Sequence, residues 1–185
     1  MSKKILFVLS TAVTTCVMST VLYVNRPGPR VLPNLLSEGA KVYASPQISL
    51  HDVARMRSFG IQTIVDMRPD GEASDEPTHL QMEQTAEAYA LSFAYIPVPH
   101  ESIPPATVKS LSDVLLACQK PVLLYCRTGR RAVRTFALFE ASRPGGPGDD
   151  TILKMVSDAG FTADDLRPEI ETRIAARTTA SEAKQ

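Results

Sequence analysis

The 185-residue chain carries 20 acidic and 20 basic side chains, a balance that gives no electrostatic footprint for nucleic acid or an acidic surface. Its length and ordinary apolar content suit one domain whose core needs neither disulfides nor a structural metal. Three cysteines (Cys16, Cys118, Cys126) and three histidines (His51, His79, His100) lack the paired spacing of a zinc site, and the odd cysteine count leaves at least one thiol free. The sequence calls for no metal and no cofactor.

In chain order, residues 5–24 come first. They carry no charge, follow Lys3 and Lys4, and end before Arg26 and Arg30. A run of that length is what a transmembrane helix needs, although Ser10, Thr11, Thr14, Thr15, Ser19 and Thr20 dilute it. The expectation is a single-pass inner-membrane anchor over 1–24 with the catalytic domain on the periplasmic side; a signal peptide is the alternative. Residues 25–40, rich in Pro, Gly and Asn, read as a linker. A catalytic domain is expected over 41–178 and a flexible tail over 179–185.

Within that domain strand-like and helix-like segments alternate. Val42-Tyr43-Ala44 is a strand candidate, and Ser49 opens a helix that Gly60 stops. The β-branched run 61–66 is a strand, followed by a polar loop and a helix over 79–91. The next strand, 93–98, is closed by Pro97 and Pro99; Pro104-Pro105 then opens a helix striped by Val108, Leu111, Val114, Leu115 and Cys118. Cys118 reads as core filler. Residues 121–125 form a wholly apolar strand, as expected of a strand buried on both faces, and a helix, a Pro/Gly loop and two further helices follow. This alternation predicts an α/β layered domain around a mostly parallel sheet. Ligands of such sheets bind beyond the carboxyl ends of the strands, where Cys126 falls.

The segment Cys126-Arg127-Thr128-Gly129-Arg130-Arg131 carries the chemistry. A glycine-containing turn between strand and helix aims several backbone N–H groups at one centre, and the helix dipole adds positive potential there. Arg131 can close over a bound anion with a planar fork, and Arg127 and Arg130 add charge. The same field favours a thiolate on a cysteine so placed, which makes Cys126 the candidate nucleophile. Arg127, Thr128, Gly129 and Arg130 are the candidate substrate-binding residues of the loop, with Arg68 as a further one upstream.

Residues 121–132 and the segment Thr63-Ile64-Val65-Asp66-Met67-Arg68-Pro69-Asp70-Gly71-Glu72 together resemble the bacterial phosphatase-like domain of beta-lactamase-hydrolase-like proteins, distant relatives of the dual-specificity protein tyrosine phosphatases. Residues 44–49, Tyr95-Ile96-Pro97-Val98, Ala159-Gly160-Phe161 and Asp165-Leu166-Arg167-Pro168 support the resemblance, which spans about residues 42–176. It implies a three-layer tyrosine-phosphatase-like α/β fold and a cysteine-based hydrolase of phosphomonoesters. Some members of the family are fused to a metal-dependent hydrolase or persulfide-oxidising domain; no such motif is present in this sequence. Ordinary tyrosine phosphatases place five residues between cysteine and arginine, whereas four separate Cys126 from Arg131 here. Rhodanese-type sulfurtransferases share the short spacing, so a persulfide carrier on Cys126 is the alternative, with a sulfur donor replacing the phosphorylated substrate. Ala132 also lacks the hydroxyl that phosphatases commonly place after the arginine.

Phosphomonoester hydrolysis needs an acid for the leaving oxygen. Asp70, in a polar loop after a strand, is the first candidate; Glu72 lies near it, and Glu101 with His100 follows the 93–98 strand. Arg68 is read either as a substrate ligand or as an organiser of the Asp70 loop. His51 and His79 read as helix-surface residues. A non-catalytic phosphate-binding module is the remaining class. Nothing in the sequence speaks to oligomeric state.

Overall fold

The computed structural model describes residues 33–182, all within one compact unit. Five short strands form one sheet: β1 (Asn34–Ser37), β2 (Val42–Ser45), β3 (Thr63–Asp66), β4 (Ser92–Tyr95) and β5 (Val122–Tyr125). Their order is β1-β2-β5-β3-β4; β2, β5, β3 and β4 run parallel, and β1 is an antiparallel edge. β5 lies at the centre with every residue buried, as its unbroken apolar run requires. β1 comes from the stretch expected to be a linker. Its sequence, Asn-Leu-Leu-Ser, has no strand periodicity, and its pairing with β2 defines it.

Six α-helices cover the sheet: α1 (Leu50–Ser58), α2 (His79–Ala88), α3 (Pro105–Ala117), α4 (Arg130–Ser142), α5 (Asp149–Asp158) and α6 (Arg167–Glu182), the last preceded by a 3₁₀ turn at Asp164–Leu166. Alternation along the strands sorts the layers. Ile64, Leu123 and Tyr125 face Val53, Met56, Met82 and Ala86 of α1 and α2. Val65, Leu124 and Cys126 face Val108, Leu111, Val133, Phe136 and Ile152 of α3, α4 and α5. Helix starts follow the sequence signals. Ser49 with Asp52 and Thr78 with Gln81 form capping boxes at α1 and α2, and Pro105 opens α3.

Two expectations are corrected. Among the described residues no helix is long and apolar enough to cross a membrane; the longest, α6, has 16 residues and a largely polar sequence. The N-terminal transmembrane helix, and with it the single-pass inner-membrane placement and periplasmic domain, are therefore not supported. The run on which they rested, 5–24, is diluted by six serine and threonine side chains and lies outside the described residues.

Candidate active site

Cys126 follows the last residue of β5, fully buried on the side of the sheet covered by α3 and α4. The chain then turns through 127–129 into α4. Gly129 caps that helix at φ 85°, where a Cβ would stand 2.8 Å from Cζ of Phe161 and 3.1 Å from the carbonyl oxygen of Ser45. Glycine therefore meets a conformational and a steric demand at once. The Gln47 amide donates to the carbonyl of Arg127 at 3.2 Å and fixes the loop from the β2 side. The amides of Arg127, Thr128 and Gly129 meet no acceptor among the described residues, and the α4 dipole points its positive end at them. Such a cradle is suited to an anion.

Arg131, in the first turn of α4, is buried and oriented by three hydrogen bonds. Its Nη1 and Nη2 each donate to a Glu72 carboxylate oxygen at 2.6 Å, and Nη1 also donates to the carbonyl of Val98 at 2.8 Å. Of the five guanidinium N–H donors these contacts engage three, which leaves the Nε–H and one Nη2–H. Burial works against the charge on Arg131, but Glu72 and then Cys126 outweigh it and hold its pKa above the ordinary value. The Glu72 carboxyl is held below the usual range by its bonds to Arg131, against burial, with Arg68 assisting.

Arg68 is buried beneath this pair. Its Nε donates to Glu72 at 3.1 Å, its Nη1 to Oε1 of Gln47 at 3.0 Å, and its Nη2 forms an ion pair with Glu76. Its backbone N–H donates to Asp66 at 2.9 Å. The side chain expected among the substrate ligands is therefore enclosed by protein acceptors, and it braces the loop that carries Glu72. Asp66 itself is buried at the end of β3, and burial pushes its carboxyl up to about 6 against the nearby Tyr125 hydroxyl and the hydrogen bond from the Arg68 amide. The Tyr125 hydroxyl faces Asp66 and Gln47 without completing a hydrogen bond of normal geometry; burial, then Asp66, raises its pKa far above the usual value.

A cleft of about 490 Å³ opens over the loop, lined by Arg127, Thr128, Arg130 and Arg131 on one wall and His100 and Glu101 on another. Asp70 is not among its lining residues. One carboxylate oxygen of Asp70 accepts from the His79 amide at 2.8 Å, the other lies 2.6 Å from His79 Nδ1, and the His79 ring stacks on Tyr95 with centroids 4.1 Å apart. Asp70 and His79 thus fasten the β3–α2 loop to β4. Both loops leave carboxyl ends of parallel strands, and the sequence does not say which one overhangs Cys126. A larger cavity, about 830 Å³, lies at the other end of the sheet against the β1–β2 turn and Lys120, and contains no residue of the 126–131 loop. Cys118 also belongs to that end. It caps α3 before β5 begins, so β5 separates it from Cys126.

Sequence reasoning misses the partner of Arg131. Glu72 reads there only as a neighbour of Asp70, and no local pattern joins residues 59 positions apart. Glu76 is likewise unsignalled, and Gln47 and Tyr95 fall within segments of the resemblance without a role of their own.

The chain is similar to several known proteins. A protein classed as a phosphatase from Neisseria meningitidis Z2491 is 28% identical, with a TM-score of 0.66 over 76% of this chain and 96% of its own. A kinase-associated phosphatase whose catalytic-site cysteine is replaced by serine shares the fold at 13% identity, with a TM-score of 0.61 over 82% of this chain and 99% of its own. The beta-lactamase hydrolase-like protein of Agrobacterium fabrum is 27% identical over 106 residues, which are 57% of this chain but 24% of that relative's length. Residues 35–143 match the family of the phosphatase-like domain of beta-lactamase hydrolase-like protein, more than half of the sequence, and the chain belongs to that family.

Proposed function

We propose that this domain hydrolyses phosphomonoesters through a phosphocysteine intermediate on Cys126. The observation that carries the reading is Arg131, held by Glu72 and Val98 in the first helical turn after Cys126, beyond a loop whose first three amides have no protein acceptor. The peripheral oxygens of a bound phosphoryl group would meet the amides of 127–131 and the remaining Nε–H and Nη2–H of Arg131. The Cys126 thiolate attacks phosphorus; the S–P bond forms as the P–O ester bond breaks, and the leaving oxygen takes a proton from an acid. Water then attacks phosphorus, yields its proton to the conjugate base, and releases inorganic phosphate and the thiolate.

We assign the acid to Glu101 rather than Asp70, on the strength of its place in the cleft lining and of the contacts that tie Asp70 to His79. Arg68 then acts at one remove, through Glu72. The four-residue spacing between Cys126 and Arg131 keeps a persulfide-carrying sulfurtransferase as the rival.

The test uses the full chain under reductant, with Cys126→Ser, Glu101→Gln and Asp70→Asn, assayed on p-nitrophenyl phosphate, on phenyl phosphate and for thiosulfate-to-cyanide sulfur transfer. Cys126→Ser is expected to abolish phosphate release. Glu101→Gln should lower kcat by about 10²-fold, the typical worth of a general acid, and more on phenyl phosphate, whose leaving group needs the proton. Thiocyanate formation lost in Cys126→Ser, with no phosphate released by the wild type, would replace the phosphatase reading by the sulfurtransferase.

A further inference from the structure

We propose that Arg127 and Arg130 form a second anion subsite beside the phosphoryl cradle, so that the preferred substrate is a compact phosphomonoester bearing a second phosphate close to the scissile one. The inference rests on the reading of the Cys126 loop as a phosphoryl site.

Eleven arginines lie among the described residues, and the side chains of nine donate to an acceptor within the protein. The other two are Arg127 and Arg130, both exposed and both on the wall of the cleft. The neighbouring charges are already answered within the protein. Arg134 forms a two-pronged pair with Asp165 at 2.6 Å, Glu169 is engaged by Arg173, and Arg131 is neutralised by Glu72. Arg130 feels Asp165 at longer range without a hydrogen bond to it. Glu101, on the facing wall, is in no ion pair among the described residues and does not bond to either arginine.

Two guanidiniums that no acceptor within the protein engages lie in one loop beside the cleft, and a bound polyanion would supply both with a partner. A single phosphoryl group is accounted for by the loop amides and Arg131. The 490 Å³ cleft is much larger than such a group, and Arg127 and Arg130 border the remainder. Distance sets the kind of molecule. Arg127 and Arg130 border the same cleft as Arg131. The second anion therefore sits near the first, as in a bisphosphate. Acidic residues spread along a phosphopeptide would lie further out.

The test compares inorganic phosphate with pyrophosphate as inhibitors of p-nitrophenyl phosphate turnover by the full chain. Pyrophosphate is expected to have an inhibition constant at least tenfold lower than phosphate, an advantage that weakens with added salt. In the Arg127→Gln/Arg130→Gln double variant the ratio of the two constants should fall to within about threefold, whatever happens to turnover itself. A parallel arm compares kcat/KM for glucose 1,6-bisphosphate and glucose 6-phosphate, where the bisphosphate should lead in the wild type and not in the double variant. Equal inhibition by phosphate and pyrophosphate would overturn the second subsite while leaving the phosphatase reading intact. So would a tenfold preference for an acidic phosphotyrosyl peptide that survives the double substitution. If the wild type turns over no phosphomonoester, the phosphatase reading fails, and calorimetric titration of the two anions into the Cys126→Ser protein still decides the subsite by the same ratio.

Discussion

A guanidinium beside a nucleophile assists only if its free edge is already aimed when the substrate arrives. On the proposed reading Glu72 does the aiming, since its two oxygens take one end of Arg131 while the Val98 carbonyl fixes the plane. Glu72→Gln keeps one acceptor but loses the charge and one arm of the fork. It should lower kcat/KM on p-nitrophenyl phosphate by about 10²-fold, the scale of a misplacement of order 1 Å, and raise the inhibition constant of inorganic phosphate in parallel. Normal phosphate affinity in that variant would remove Glu72 from the positioning of Arg131. Asp70 calls for the opposite outcome. Its carboxylate serves the His79 amide and ring, so Asp70→Asn should leave kcat within a few-fold and cost about 1 kcal/mol of stability, comparable to losing a helix cap. A thermal melt run beside the kinetic assay separates the two roles.

At the scale of elements, the strand-to-helix turn between β5 and α4 tolerates no side chain at Gly129, because φ is positive and the nearest obstacles are the Phe161 ring and a backbone carbonyl. Gly129→Ala should destabilise the protein by about 1–3 kcal/mol, seen as a fall in Tm of roughly 2–4 °C per kcal/mol for a chain of this size. β3 and β5 supply a second test, since Asp66 and Tyr125 are direct partners in their ladder. Asp66 is raised to about 6 from an ordinary 3.8, so the folded protein holds a proton that the unfolded chain releases. Stability should therefore decline as pH rises from about 4 to 6 and level off above, by an amount on the order of 2–3 kcal/mol. Asp66→Asn should flatten that slope in urea titrations across the window, and an unchanged slope would show that other groups set it. β1 differs from these elements. Asn34–Ser37 has no pattern of its own and exists as a strand because β2 offers it an edge.

For the whole molecule, what can be read in the sequence follows from how local each cause is. The apolar run 122–125, the caps at Ser49 and Thr78 and the glycine-arginine loop act within a few residues, so the layered fold and the place of Cys126 are legible in the sequence itself. The bond between Arg131 and Glu72, and the place of Glu101 rather than Asp70 in the cleft beside the 127–131 loop, depend on how distant loops converge; no short window contains them. The same topology separates Cys118 from Cys126 by the length of β5, roughly 13 Å at about 3.3 Å per residue, well beyond the ~7 Å over which two Cα atoms can be bridged. Both are free thiols. Peroxide treatment in a Cys16→Ser background should therefore yield no Cys118–Cys126 bridge by peptide mass mapping. That separation bears on recovery from oxidation. A sulfenic acid on Cys126 cannot be resolved by Cys118, which leaves condensation with a backbone nitrogen, capture by another thiol, or onward oxidation to the irreversible sulfinic state. Cys118 therefore gives this site no built-in protection against oxidation.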